Sequence, residues 1–207
     1  MSESLPSRAA VPAGVTLVLP IKATAEAKSR LCLSPAGRQI VMRSFVDHVV
    51  GVARASRRVA RIAVVGSVEL VPDPAGVRHL PEPRLDGGLN AVVTTARHWG
   101  CLAVPDRPIA VLPVDLPRLT VAELDLALTV ADGVERAFVP DAAGTGTTLI
   151  TARRPELLIS AYGSGSAAEH ERLGLMRLDG AGVGLRHDVD TPDDLRAMAP
   201  ALEVLAG

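Results

Sequence analysis

The sequence has almost no lysine. Of its 22 basic residues only Lys22 and Lys28 carry an ammonium, and arginine fills every other basic position. Aromatic residues make up only 2% of 207 positions, which leaves few rings for a base-stacking platform. Net charge is −1, so the broad positive excess that neutralises a run of nucleic-acid phosphates is missing. Cys32 and Cys101 lie far apart and form no Cys-x-x-Cys pair, which points to neither a zinc site nor a disulfide framework. Both are expected to be small buried hydrophobes. No apolar run approaches the ~20 residues that span a bilayer, and residues 1–14 lack the basic-then-apolar pattern of a signal segment. The expectation is a cytoplasmic protein that binds neither nucleic acid nor membrane, with 1–14 a flexible tail and 15–207 a single domain.

What is present is a core of Val, Leu, Ile and Ala, with 48% of residues hydrophobic. Strand-like runs fall at 15–19, 61–65, 109–114, 137–139 and 147–151. Helical periodicity fills most gaps between them. Ser34 caps a helix with Pro35 in its first turn, and Ile40, Val41, Phe45, Val49 and Val52 are expected to mark its apolar face. Leu89, Val92, Val93 and Ala96 mark a second helix. Thr120 caps a third bearing Leu124, Leu128 and Ala131, and Thr191 opens a fourth with Asp193 and Asp194 in its first turn. The Pro-rich stretch 71–84 reads as an irregular connection. Alternation of this kind predicts an α/β fold, a mainly parallel sheet with helices on both faces.

Chemistry concentrates where strands end. Lys22 and Lys28 follow the first strand, at the sheet edge where open α/β folds bind ligands. A compact ammonium suits a polyphosphate, although two solvated surface lysines are the plainer alternative. Asp115 directly follows the 109–114 run, where it either caps the next turn or faces a ligand. Asp188 and Asp190 stand two apart in an extended segment, so their carboxylates point the same way. With Asp115 they form a hard-oxygen set of the kind magnesium takes, its remaining positions going to water and substrate phosphates. Helix capping by Asp190, with Asp188 solvated, is the competing reading.

Three glycine clusters allow backbone to approach a ligand: Gly87-Gly88-Leu89-Asn90, Gly144 to Thr148, and Gly163-Ser164-Gly165-Ser166. The last also fits a dinucleotide-binding fingerprint, but it follows 153–161, which does not read as a strand. No phosphate-binding loop ending in Lys-Ser/Thr occurs. No nucleophile sits beside a base, and the histidines, His48, His79, His98, His170 and His187, show no metal spacing. Transfer onto a phosphate needs neither, because a phosphate with a second pKa of about 6 is already largely ionised at neutrality. Positioning and cations carry such a reaction.

Together these segments resemble a known family. Leu19-Pro-Ile-Lys22, Ala27-Lys28-Ser-Arg30-Leu, Asp115-Leu-Pro-Arg118, Phe138-Val-Pro-Asp141 through Thr148, Tyr162-Gly-Ser-Gly-Ser166 and Asp188-Val-Asp190-Thr-Pro-Asp-Asp-Leu195 are similar to the phospholactate or phosphoenolpyruvate guanylyltransferases of coenzyme F-420 biosynthesis. The resemblance covers nearly everything after Gly14. It implies a single-domain GT-A-type nucleotidyltransferase fold acting on GTP and a three-carbon phosphoacid. By that resemblance Asp115, Asp188 and Asp190 hold two Mg2+ ions. Thr148, Gly163 and Ser166 contact the acceptor, while Lys22, Lys28, Gly88 and Asn90 hold the nucleotide. Tyr162 and Ser164 stand where the family has Phe and Pro. Phosphoenolpyruvate is the expected acceptor, with 2-phospho-L-lactate or 3-phosphoglycerate next. Guanylylation of the molybdenum cofactor, cytidylylation of a sugar alcohol phosphate, and a non-catalytic nucleotide sensor are the rivals.

Overall fold

The computed structural model describes residues 14–22, 31–83 and 88–197. The tail assigned to 1–14 lies, apart from Gly14, outside the described residues. Seven strands join in one sheet: β1 (Val15–Ile21), β2 (Val59–Gly66), β3 (Val77–Leu80), β4 (Ile109–Val111), β5 (Arg136–Pro140), β6 (Thr147–Ala152) and β7 (Met176–Arg177). Their spatial order is β3-β2-β1-β4-β6-β5-β7. Pairings β1–β2, β1–β4, β2–β3 and β5–β7 are parallel, whereas β6 runs antiparallel to both β4 and β5. The expected mainly parallel sheet is therefore present, with one reversed strand inside it.

Every residue of β1 is buried because helices cover both faces. Leu17, Leu19 and Ile21 point to one side, where α1 (Pro35–Ala55) and α3 (Val121–Ala131) pack. Val18 points to the other, under α2 (Gly88–Ala103). Pro20 is tolerated in this central strand because pairing with β4 stops at Val18↔Val111, so its missing N–H forfeits no ladder bond.

Local signals set the helix starts. The Ser34 hydroxyl accepts from the Gly37 N–H at 3.1 Å, and Pro35 occupies the first turn of α1. The buried face of α1 runs through Met42, Phe45, Val46, Val49 and Ala53. Ile40, expected on it, is instead 71% exposed. It lies about 140° around the helix from Phe45, five residues on, which turns it to solvent. Cys32 and Cys101 are likewise exposed rather than buried. Cys101 falls on the outer side of α2, and Cys32 sits in the turn before α1 with φ +54°. The Pro-rich stretch contains β3, a short edge strand that the sequence reading missed.

Candidate functional site

In this strand order the chain turns away from β1 in both directions, to β2 on one side and β4 on the other. That makes the β1/β4 boundary the topological switch point, outside whose carboxyl ends such sheets bind ligands. Lys22 immediately follows β1 and is exposed there. Regular pairing of β4 ends at Val111, although the Leu112 N–H still donates to the Val18 carbonyl at 3.0 Å. Pro113 then stops the ladder, and half-buried Asp115 lies just beyond it.

A single backbone hydrogen bond brings the second acidic group here. The Val189 N–H donates to the Asp115 carbonyl at 3.0 Å, and Val189 buries its own side chain. Asp188 and Asp190 flank Val189 outside any helix or strand, so their backbone is brought next to that of Asp115. Each of the three acids has an interaction partner in the folded chain. Among the described residues, no three His, Cys, Asp or Glu side chains are drawn into a ready-made metal cage.

The acidic segment is anchored from three sides. Before it comes α5 (Val183–Arg186), whose Gly184 N–H donates to Glu123 Oε1 at 2.8 Å. Glu123 also completes a capping box with Thr120 at the start of α3, accepting from the Thr120 N–H at 2.9 Å. A Cβ on Gly184 would collide with the Arg118 carbonyl and with Glu123, so only glycine permits this docking. Arg186 donates to the Pro140 and Asp141 carbonyls at 3.1 and 2.9 Å, tying α5 to the end of β5. After the segment, Asp194 Oδ2 accepts from the Asp190 and Thr191 N–H groups at 3.1 and 2.8 Å. Burial alone would raise the Asp194 pKa, but these bonds and that from the Thr191 hydroxyl hold it below the usual carboxylate range.

The opposite wall is built from the loop 160–165 and α4 (Ser166–Arg172). Asn90, in the first turn of α2, clasps this loop. Its Oδ1 accepts from the Ser160 hydroxyl and the Tyr162 N–H, both at 2.8 Å, and its Nδ2 donates to the Tyr162 carbonyl at 2.9 Å. Beneath the loop, fully buried His170 accepts from the Ala161 N–H at Nε2, 2.9 Å away. The proton must then reside on Nδ1, which donates to Thr147 Oγ1 at 2.9 Å. The Ser166 hydroxyl donates to that same oxygen at 3.3 Å. Burial lowers the His170 pKa to about 4, so the ring is neutral at physiological pH.

Among the residues singled out from sequence, the backbone segments that carry Asp115 and Asp188–Asp190 meet at one edge. Gly163 and Ser166 meet in one turn, where the Ser166 N–H donates to the Gly163 carbonyl at 3.2 Å. Gly163 and Gly165 have φ values of +151° and +72°, which favour glycine. Thr148 is buried in β6, its hydroxyl 3.5 Å from the Val139 carbonyl. Gly88 opens α2 with φ +53°, and the Asn90 side chain is committed to the 160–162 loop. Lys28 and Gly87 lie outside the described residues. Sequence reasoning missed His170, Glu123 and Arg186. For Glu123 the signal was present, since Thr120-x-x-Glu123 is a capping-box pattern.

Comparison with known proteins gives the family and the fold. A family described as "Guanylyl transferase CofC like" matches residues 15–198. A curated phosphoenolpyruvate guanylyltransferase of Sanguibacter keddieii is 40% identical, covering 89% of this chain and 79% of its own. One of Streptomyces coelicolor is 42% identical over 88% of each chain. Among solved structures, a nucleotidyl transferase of Methanothermobacter superposes with TM-score 0.62 at 15% identity, covering 92% of this chain and 99% of that one. A Mycobacterium tuberculosis H37Rv protein, Rv0371C, solved in complex with manganese, superposes with TM-score 0.56 at 18% identity, over 90% and 98%. The fold is thus the nucleotidyltransferase fold, and the chain belongs to the CofC-like guanylyl transferase family.

Proposed function

We propose that this protein transfers the guanylyl group of GTP to the phosphate of phosphoenolpyruvate, releasing pyrophosphate and forming enolpyruvoyl-2-diphospho-5'-guanosine. An acceptor phosphate oxygen bonds to the α-phosphorus of GTP. The bond from that phosphorus to the oxygen bridging toward the β-phosphate breaks, and its electron pair leaves with pyrophosphate. No proton has to be removed from the nucleophile, which fits a site where the one buried imidazole among the described residues is committed to structure.

The observation that carries the reading is the Val189-to-Asp115 hydrogen bond, which joins two acidic segments at the switch point of the sheet. Asp115, Asp188 and Asp190 are all-oxygen donors and fit Mg2+, most simply as two ions. Magnesium binds through few carboxylates and takes the rest of its shell from water and phosphate, so a closed protein cage is not required. When bound, the metal would reduce the repulsion between two anionic substrates. The manganese complex of the mycobacterial neighbour supports a divalent ion in this fold. Lys22 and Lys28 are assigned to the triphosphate and Gly88 to the nucleotide. Thr148, Gly163 and Ser166 are assigned to the acceptor, and Asn90 is assigned with Gly88 to the nucleotide, its side chain also fixing the loop at 160–162 on the acceptor side. The names of the curated relatives favour phosphoenolpyruvate over 2-phospho-L-lactate or 3-phosphoglycerate. Both substrates are cytoplasmic metabolites, and we place the protein there.

The test is to incubate the protein with Mg2+, α-labelled GTP or CTP, and the three phosphoacids together, and to weigh the products by mass spectrometry. The guanylylated enolpyruvate is expected from GTP alone. Consumption of CTP in place of GTP would overturn the reading. Asp190→Asn is expected to lower turnover by orders of magnitude, whereas a nucleotide sensor would show no turnover in the parent protein.

A further inference from the structure

The side chain of Tyr162 ends in a buried hydroxyl that meets no hydrogen-bond partner. Native proteins rarely leave such a group unpaired, because its water has been stripped away with nothing in exchange. Thr16 Oγ1, Arg136 Nε and His187 Nδ1 are also buried and unpaired, while two further atoms have simpler settings. The Arg38 and Arg58 Nε atoms belong to guanidinium groups that are bonded elsewhere, to the Leu33 carbonyl and to Asp132. The Tyr162 side chain, by contrast, hangs from the loop that leads into the Gly163–Ser166 turn, within electrostatic reach of the Asp115 carboxylate.

The ring has little freedom to turn away. Asn90 grips the Tyr162 backbone at both its N–H and its carbonyl. The phenol stands edge-on to His170, ring centroids 5.3 Å apart at 81°. Burial first, and Asp115 second, push the phenol pKa upward, so the group is a neutral O–H donor throughout the working pH range. Such a donor, its backbone gripped by Asn90 and its chain continuing into the Gly163–Ser166 turn, is suited to an incoming anion. We infer that the Tyr162 hydroxyl donates a hydrogen bond to an oxyanion of the acceptor substrate, a contact this chain adds at a position where the family has Phe. This inference rests on the guanylyl-transfer reading above.

Tyr162→Phe removes the oxygen and leaves the ring against His170. Because the hydroxyl has no partner in the unliganded chain, the variant is expected to melt at the same temperature as the parent or higher. Its KM for phosphoenolpyruvate is expected to rise about tenfold or more, that for GTP remaining unchanged. Inhibition by oxalate and by inorganic phosphate distinguishes the oxyanions. Weakened oxalate inhibition assigns the contact to the carboxylate, and weakened phosphate inhibition assigns it to the phosphate. An unchanged acceptor KM, or a lower melting temperature with both KM values raised equally, overturns the inference while guanylyl transfer stands. Failure of the parent protein to guanylylate any acceptor overturns both.

Discussion

His170 shows how much one buried side chain organises here. Its two nitrogens face partners that demand opposite roles, an N–H from Ala161 and an oxygen on Thr147, so only the neutral ring with its proton on Nδ1 satisfies both. Protonation would place two N–H groups face to face and release the loop that carries Tyr162 and Gly163. The native pKa of about 4 lies below the ordinary 6.5. Between those values the unfolded chain binds a proton that the native one refuses, so stability falls as pH drops from about 6.5 toward 4. The loss attributable to this residue is up to ~3 kcal/mol. Denaturant midpoints at pH 7 and pH 4.5 should therefore draw apart less in His170→Gln than in the parent. A histidine with no metal spacing invites no such reading from sequence, because its partners at 147 and 161 are fixed by tertiary packing.

At the scale of elements, the capping signals were the most legible. Ser34-Pro35, Thr120 and Thr191 each start a helix where their hydroxyls predict, because a cap is decided within four residues of chain. The five strand runs likewise appear, four of them slightly longer than their apolar cores and the 109–114 run cut short at Val111 by Pro113. β3, β7, α4 and α5 escaped notice because elements of two to seven residues show no full period, and their existence depends on neighbours. Yet α5 has the larger consequence for the site. Gly184→Ala would drive a methyl into the Arg118 carbonyl and Glu123 and dislodge the acidic segment that follows. We expect a stability loss of about 1–3 kcal/mol in chemical denaturation, as for other overpacked positions. A fall in turnover larger than that destabilisation explains should accompany it, measured where the variant is still fully folded. Unchanged kinetics would mean that α5 does not set the position of Asp188 and Asp190.

At the scale of the whole molecule, the sheet is packed between two apolar layers, one under α1 and α3 and the other under α2. Divalent ions should therefore matter to activity far more than to folding. Chelation is expected to abolish turnover, with recovery on adding Mg2+ or Mn2+, while the melting temperature without nucleotide barely moves. Adding GTP with Mg2+ should raise it, by ligand linkage to the native state. Turnover that survives exhaustive chelation would contradict the assignment of Asp115, Asp188 and Asp190. Among the described residues no helix is long and apolar enough to cross a membrane. The class of fold could be foreseen from alternating strands and helices, but not the reversal of β6, since an isolated apolar run does not reveal which way it will point.

The bond from Val189 to Asp115 closes a very long loop of chain, and loops of that size form late because distant partners must find one another first. If Asp115, Asp188 and Asp190 hold metal as proposed, an appetite for doubly charged ions would be withheld until the polypeptide is fully assembled in space. A misfolded or half-finished copy would compete for cellular magnesium no better than any random acidic coil.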